Sequence, residues 1–183
     1  MIYDRDLSWA FIHIPKTGGT NIRMNAKCAA HTVIGDIDMP AHFNHQPLWW
    51  WREQGVIDNN TPVYSVVRNP YDRVLSLYMH VTRTREMTLE HFCFDFIHDP
   101  VHAIQAGVEW QLNWPQWRFL DSDVTVYKYE TEYRALEEVF GFKYRHTRFN
   151  ASNYAGVTHN KATIAWVNYH YEEDFLKYGY VRM

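Results

Sequence analysis

Two short apolar runs in this chain each end in a chemically loaded turn, and each turn opens a helix. No other feature restricts the fold as much. Residues 8–14, Ser-Trp-Ala-Phe-Ile-His-Ile, read as a buried strand that runs into Pro15-Lys16-Thr17-Gly18-Gly19-Thr20. Residues 62–67, Pro-Val-Tyr-Ser-Val-Val, read as a second strand that runs into Arg68-Asn69-Pro70. Apolar runs of this length, rich in β-branched and aromatic residues, favour extended chain. After the first turn a helical pattern covers Gly19 to about Ala30. After the second, Asn69 suits a helix cap and Pro70 a first helical position. Val74, Leu77, Tyr78 and Val81 follow at i, i+3, i+4 and i+7, which gives that helix one apolar stripe.

The rest of the chain continues the alternation. Residues 31–36 read as a short strand, 37–47 as a loop, and 48–55 as a short helix stopped by Gly55. Residues 88–98 and 102–120 read as helical, interrupted near Pro100 and Pro115. A further strand covers 124–129, and an amphipathic helix covers 130–141 with Gly141 as its stop. Residues 150–163 read as a polar loop and 164–177 as a last helix. Strands alternating with helices predict an α/β fold of the P-loop-like, three-layer kind. Its central, mostly parallel sheet is flanked by helices, and residues 1–183 form a single domain. In such folds ligands bind beyond the carboxyl ends of the strands, where both loaded turns fall.

Composition excludes several classes. A formal charge of −3 argues against sequence-independent nucleic-acid binding, which needs a basic surface. No stretch reaches the ~18 apolar residues of a membrane-spanning helix, and the first residues carry two Asp and no apolar core of a signal peptide. The expectation is therefore a soluble, cytoplasmic protein with no membrane or nucleic-acid partner. Cys28 and Cys93 lack metal spacing and read as buried thiols. With 8 Trp and 13 Tyr, rings are plentiful; core packing is the default for each, including Trp49, Trp50, Trp51, Trp110, Trp114 and Trp117, although such rings also stack on sugars.

The first turn has the makings of an anion site. Gly18 and Gly19 allow a tight backbone turn that exposes N–H groups at the positive end of the next helix. Thr17 and Thr20 add hydroxyls, and Lys16 adds a charge. The order differs from GxxxxGK[ST], in which a Ser/Thr directly after the lysine holds Mg²⁺. Here the lysine precedes the glycines, and there is no clear acidic partner at a strand end to hold a metal. At the second turn, Arg68 suits bidentate phosphate contacts. Ser76 lies two turns into the helix, on a face with Arg73 and His80 away from the apolar stripe.

Taken together, Phe-Ile-His-Ile-Pro-Lys-Thr-Gly-Gly-Thr (11–20) and Val-Val-Arg-Asn-Pro-Tyr-Asp-Arg-Val-Leu-Ser-Leu-Tyr (66–78) resemble the sulfotransferases that use 3′-phosphoadenosine 5′-phosphosulfate (PAPS). The likeness is to the Golgi carbohydrate branch and its bacterial relatives, including heparan sulfate 2-O-type enzymes. The resemblance implies that Pro15, Lys16, Thr17, Gly18, Gly19, Thr20 and Asn21 hold the 5′-phosphosulfate, and that Arg68 and Ser76 hold the 3′-phosphate. Residues 126–142 look like the family's strand and E-x-L helix, with Glu130 structural. Residues 158–163 look like its closing loop, with Lys161 and Thr163 as nucleotide contacts and His159 a weaker one. Residues 171–180 look like its terminal segment. The chain departs from the family in its short length and in lacking the animal members' membrane anchor.

The resemblance implies sulfuryl transfer from PAPS to an acceptor hydroxyl, leaving 3′-phosphoadenosine 5′-phosphate (PAP), with Lys16 serving the leaving phosphate and no metal required. The family branch favours a glycan acceptor; a small-molecule alcohol, a lipid and a peptide tyrosine stay open. A base is needed, and the family places a His or Glu between the two motifs. His45, just before the short helix, stands first; His42 follows; His13 and Glu53 are the remaining candidates. Rival readings are a P-loop nucleotide or small-molecule kinase and a non-catalytic nucleotide-binding protein on the same scaffold.

Overall fold

Five strands of the described residues form one mixed sheet in the computed structural model, which describes residues 1–4, 6–26, 32–34, 45–82, 86–95, 110–141, 143 and 156–183. The chain divides into two compact units, Met1–Arg68 with Arg118–Phe149 and Asn69–Trp117 with Asn150–Met183, each with its own core.

The first unit carries the sheet. Strands β1 (Ile2–Asp4), β2 (Ala10–Ile12), β3 (Thr32–Ile34), β4 (Val63–Val67) and β5 (Thr125–Lys128) lie in the order β3-β1-β2-β4-β5. The three apolar runs are adjacent and parallel: Phe11 pairs with Tyr64, and Ser65 with Val126. The expected mostly parallel sheet is nonetheless mixed, because β1 pairs antiparallel with both β2 and β3. A tight reversal returns β1 to β2. Leu7 sits at φ 52°, its N–H donates to the Asp4 carbonyl at 2.8 Å, and the Ser8 hydroxyl donates to the Asp4 carboxylate at 2.7 Å.

Both faces of β2 and β4 are buried, as strands of a parallel core require. One face supplies Ile2, Phe11 and Val66 to a cluster completed by Ile22 of α1 (Gly19–Ala26) and by Leu136 and Phe140 of α5 (Leu136–Phe140). Helix α2 (Leu48–Glu53) buries Leu48 and Trp51. The Arg52 guanidinium braces it to Asp121 at 2.7 Å and Asp123 at 2.6 Å, in the segment leading into β5.

The second unit is helical. Helix α3 (Pro70–Val81) starts as its sequence predicts, with the Asn69 side chain accepting from the Tyr71 N–H at 3.0 Å. Its stripe of Val74, Leu77 and Val81 is buried against Leu89, Phe92 and Cys93 of α4 (Leu89–Phe94) and against Trp166 and Val167 of α6 (Lys161–His170). Phe175 of α7 (Glu172–Tyr178) completes the cluster. Burial pushes the Cys93 thiol up to about 12, with Glu90 adding, so it is an inert core residue. Cys28 lies outside the described residues.

Four local expectations are corrected. Among the described residues of 102–120 there is no α-helix, only 3₁₀ turns at Trp110–Asn113 and Gln116–Phe119. The Asp174 carboxylate takes the N–H groups of Gln116 (2.8 Å) and Trp117 (2.9 Å) that a helix would have used. The helix expected over 130–141 is a turn, a 3₁₀ piece at Tyr133–Ala135, and then α5. The Glu132 carboxylate folds back onto the Lys128 N–H at 2.8 Å and closes that turn. Finally, α6 starts at Lys161 rather than 164, because Asn160 and Thr163 form a capping box, and the last helix is two, divided at Tyr171.

Arg73 is among the most buried side chains, at 1% exposure. Its guanidinium donates to the carbonyls of Trp114 (2.9 Å) and Leu112 (3.0 Å) and lies 5.7 Å from the centre of the Tyr171 ring. With Asp174 it holds residues 112–117 from both sides, one donating to carbonyls and the other accepting from N–H groups. Burial pushes the Asp174 carboxyl up, while Arg73 and the three hydrogen bonds to it pull the other way. Asp174→Asn keeps the shape but replaces one acceptor oxygen with a donor. We expect it to destabilise the protein by about 1–3 kcal/mol in chemical denaturation, the cost of an unmade buried hydrogen bond.

Candidate functional site

The carboxyl ends of β2, β4 and β5 bring the first loaded turn and Arg68 together within the first unit. At the end of β2 the backbone takes an uncommon path: Lys16 has φ 68° and Gly18 has φ 92°. A lysine in the left-handed region costs about 1–2 kcal/mol, so its surroundings must impose it. They do so through carbonyls. The Thr17 hydroxyl, fully buried, donates to the Ile14 carbonyl at 2.8 Å. Arg68, leaving β4, donates from Nη1 to the Lys16 carbonyl at 3.3 Å. Tyr133, just after β5, donates from its hydroxyl to the Gly18 carbonyl at 2.8 Å.

The peptide plane gives these bonds a consequence for the neighbouring N–H groups. In a trans peptide the N–H points opposite to the preceding C=O. With the Lys16 and Gly18 carbonyls held toward Arg68 and Tyr133, the Thr17 and Gly19 N–H groups face the other way. Gly19 opens α1, whose first N–H groups and dipole favour an anion. Side chains leave room only for glycine here. A Cβ on Gly18 would lie 2.7 Å from the Tyr129 ring, and one on Gly19 would lie 1.9 Å from His13 Cδ2.

His13 and His45 meet beside this loop, their ring centroids 4.5 Å apart and edge to face. His13 directly follows β2. His45 is fixed by the segment leading into α2, where the Trp51 indole donates to the Gln46 carbonyl at 3.2 Å. Burial holds the His13 imidazole well below its ordinary range; His45, the α-amino group, Arg23 and Lys16 each push it further down. All four are basic groups, and each opposes placing a proton on the His13 imidazole.

The expected residues thus fall into three sets. Lys16, Thr17, Gly18, Gly19, Arg68, His13 and His45 lie together in the first unit, with Pro15 buried at the start of the turn. Thr20 and Asn21 lie in the first turn of α1, and Asn21 Oδ1 accepts from Asn25 at 2.9 Å. Glu53 is exposed at the end of α2. In the second unit, Ser76 is buried on α3, Lys161 is exposed at the first position of α6, and the Thr163 hydroxyl is engaged in the capping box with Asn160 at 2.9 Å. His159 bonds the Tyr71 carbonyl at 3.0 Å. His42 lies outside the described residues.

Sequence reasoning missed Tyr129 and Tyr133. Arg68 stacks over the Tyr129 ring at 4.8 Å, and the two tyrosines pack edge to face at 5.2 Å. The only signal was their place at and just beyond the end of a predicted strand, the edge at which the other loaded turns lie.

Among the described residues no group of three or more His, Cys, Asp or Glu is arranged to hold a metal ion, and no helix is long and apolar enough to cross a membrane. Comparison with protein families, curated proteins and solved structures found no match.

The lowered His13 pKa has a pH consequence. An unfolded His13 binds a proton below about pH 6.5, whereas the folded one resists it. The unfolded state therefore holds more protons, and this residue's contribution is intact above pH 6.5 and lost as pH falls below it. In urea unfolding across that range, we expect wild type to lose more stability on acidification than His13→Gln. Parallel pH profiles would show that His13 titrates normally.

Proposed function

We propose that this protein transfers a sulfuryl group from PAPS to an acceptor hydroxyl, with a glycan the first candidate. The observation that carries the reading is the loop after β2. Its two positive-φ residues, outward carbonyls and inward N–H groups form a cradle for a phosphate-like anion beside an imidazole pair. That support joins the resemblance of residues 11–20 and 66–78 to PAPS-dependent enzymes. The finer fold expectation belongs to the same reading: a P-loop-like arrangement whose nucleotide end is the carboxyl edge of β2, β4 and β5.

PAPS, when bound, supplies the sulfuryl group and a phosphate that carries the departing charge. Lys16 and the Thr17 and Gly19 N–H groups would hold that phosphate. Because their dipoles are fixed beforehand, they stabilise developing charge without reorganising. His45 would take the acceptor's proton. Its neighbour His13 stays neutral at pH 7 and adds no competing positive charge. Arg68 holds the Lys16 carbonyl, and so keeps Lys16 in its left-handed conformation.

Calorimetry with PAP and with ATP, each with and without Mg²⁺, tests the reading. PAP binding without ATP binding is expected; tight Mg·ATP binding without PAP binding would replace it with a kinase. Lys16→Ala and Arg68→Ala should each weaken PAP by about 10- to 100-fold, the worth of a charge-assisted hydrogen bond. His45→Ala should bind PAP as wild type does. In a screen of glycans and small alcohols with labelled PAPS, it should transfer about 10²- to 10⁴-fold more slowly. Full turnover by His45→Ala would remove it as the base.

A further inference from the structure

We infer that Tyr133 is a positioning residue for the anion loop: its hydroxyl, by holding the Gly18 carbonyl, sets the direction of the Gly19 N–H. The inference rests on the reading of the loop as a 5′-phosphate cradle.

Three observations carry it. First, the Gly18 carbonyl accepts from two sides, from the Tyr133 hydroxyl at 2.8 Å and from the Asn21 N–H at 3.0 Å. The Asn21 bond is a turn of the helix start and forms at most such starts. The Tyr133 bond comes from 115 residues away and exists only because β5 ends beside the loop. Second, Gly18 sits at φ 92°, where glycine is at ease in many other conformations. A residue this permissive needs an external restraint to hold one geometry. The Tyr129 and Tyr133 rings close over its α-carbon: an added Cβ would lie 2.7 Å from Tyr129 and 3.0 Å from Tyr133. Third, the same device serves Lys16, whose carbonyl is held by Arg68, and Arg68 rests on the Tyr129 ring. Two side-chain donors thus grip alternate carbonyls of the loop from its outer side, and the intervening N–H groups are left facing inward.

The chemical consequence is preorganisation. Dipoles fixed before an anion arrives cost little ordering when it binds. Without the Tyr133 hydroxyl, the Gly18–Gly19 peptide keeps only the Asn21 bond, and part of its orientation must be fixed on each binding event.

Tyr133→Phe removes the hydroxyl and keeps the ring that covers Gly18. Two ligands separate positioning from general structure: PAP, which carries a 5′-phosphate, and adenosine 3′-phosphate, which does not. In calorimetry, Tyr133→Phe should weaken PAP by about 5- to 10-fold, the worth of one neutral hydrogen bond, and leave adenosine 3′-phosphate unchanged. Amide exchange should quicken at Gly18–Asn21 and stay the same in β2, β4 and β5. Unchanged PAP affinity would overturn the inference. So would equal losses for both ligands with faster exchange through the strands, since the hydroxyl would then be supporting the fold alone. A wild-type protein that binds PAP no more tightly than adenosine 3′-phosphate would instead sink the underlying reading of the loop.

Discussion

The turn after β2 depends on the rigidity of the peptide plane. A carbonyl fixed on one side commits the next N–H to the other, and here two carbonyls are fixed by side chains from two other strand ends. The cradle is therefore not a property of residues 15–20 alone. It needs β4 beside β2 to deliver Arg68, and β5 beside β4 to deliver Tyr129 and Tyr133. The register achieves this: the Tyr129 N–H donates to the Val67 carbonyl at 2.8 Å, carrying the ladder one step past β5 and seating Tyr129 next to Arg68. Ser65 secures the other neighbour. Its hydroxyl, buried in the sheet, donates to the Ile12 carbonyl at 2.8 Å and ties β4 to β2.

Whatever was local in origin could be read from the sequence. The strands at 10–12, 63–67 and 125–128 follow from β-branched and aromatic runs bounded by turn residues. The start of α3 follows from Asn69-Pro70, and Gly141, at φ 66°, ends α5 as a left-handed stop. Strand β1 was not legible. Three residues containing an Asp carry no periodicity, and their pairing is made by the Leu7 reversal and the exposed edge of β2. The mixed character of the sheet follows from that one unseen strand. In the site, the glycines, Lys16 and Arg68 announce themselves by type. Tyr133 does not, because a tyrosine after a strand is ordinary until the fold brings its hydroxyl to a carbonyl far away in sequence.

The second unit shows the same division. Val74, Leu77 and Val81 of the predicted stripe are buried, yet Arg73, on the flank of the stripe by periodicity, is buried as well. Helical periodicity assigns a cation to the solvent side. It cannot anticipate a partner segment that offers carbonyls instead of apolar surface. Residues 112–117 do so because Pro115 breaks the helix there and leaves polar backbone to be satisfied. Arg73 and Asp174 satisfy it as a pair of opposite charge. A buried guanidinium would otherwise be costly, and here it is accommodated by two carbonyls, an aromatic face and a nearby carboxyl group.

Charge in the first unit is sorted along the strands, within a chain whose net charge is −3. Asp58 precedes β4 and binds the Asn60 and Thr61 N–H groups at 2.7 and 2.8 Å. Asp121 and Asp123 precede β5 and bind Arg52. The carboxylates at the entrances of two parallel strands are thereby engaged away from the exits. At the exits stand Lys16 and Arg68, with Arg23 on α1. Of the acids after β5, Glu132 turns back onto the Lys128 N–H, and Glu130 is exposed, where solvent and salt screen it. Burial is the main cause of the low His13 pKa, and this sorting adds to it: a half-buried imidazole near Lys16, Arg23 and His45 stays neutral. Local arrangement along the strands, not net charge, sets which ligand this edge of the sheet can hold.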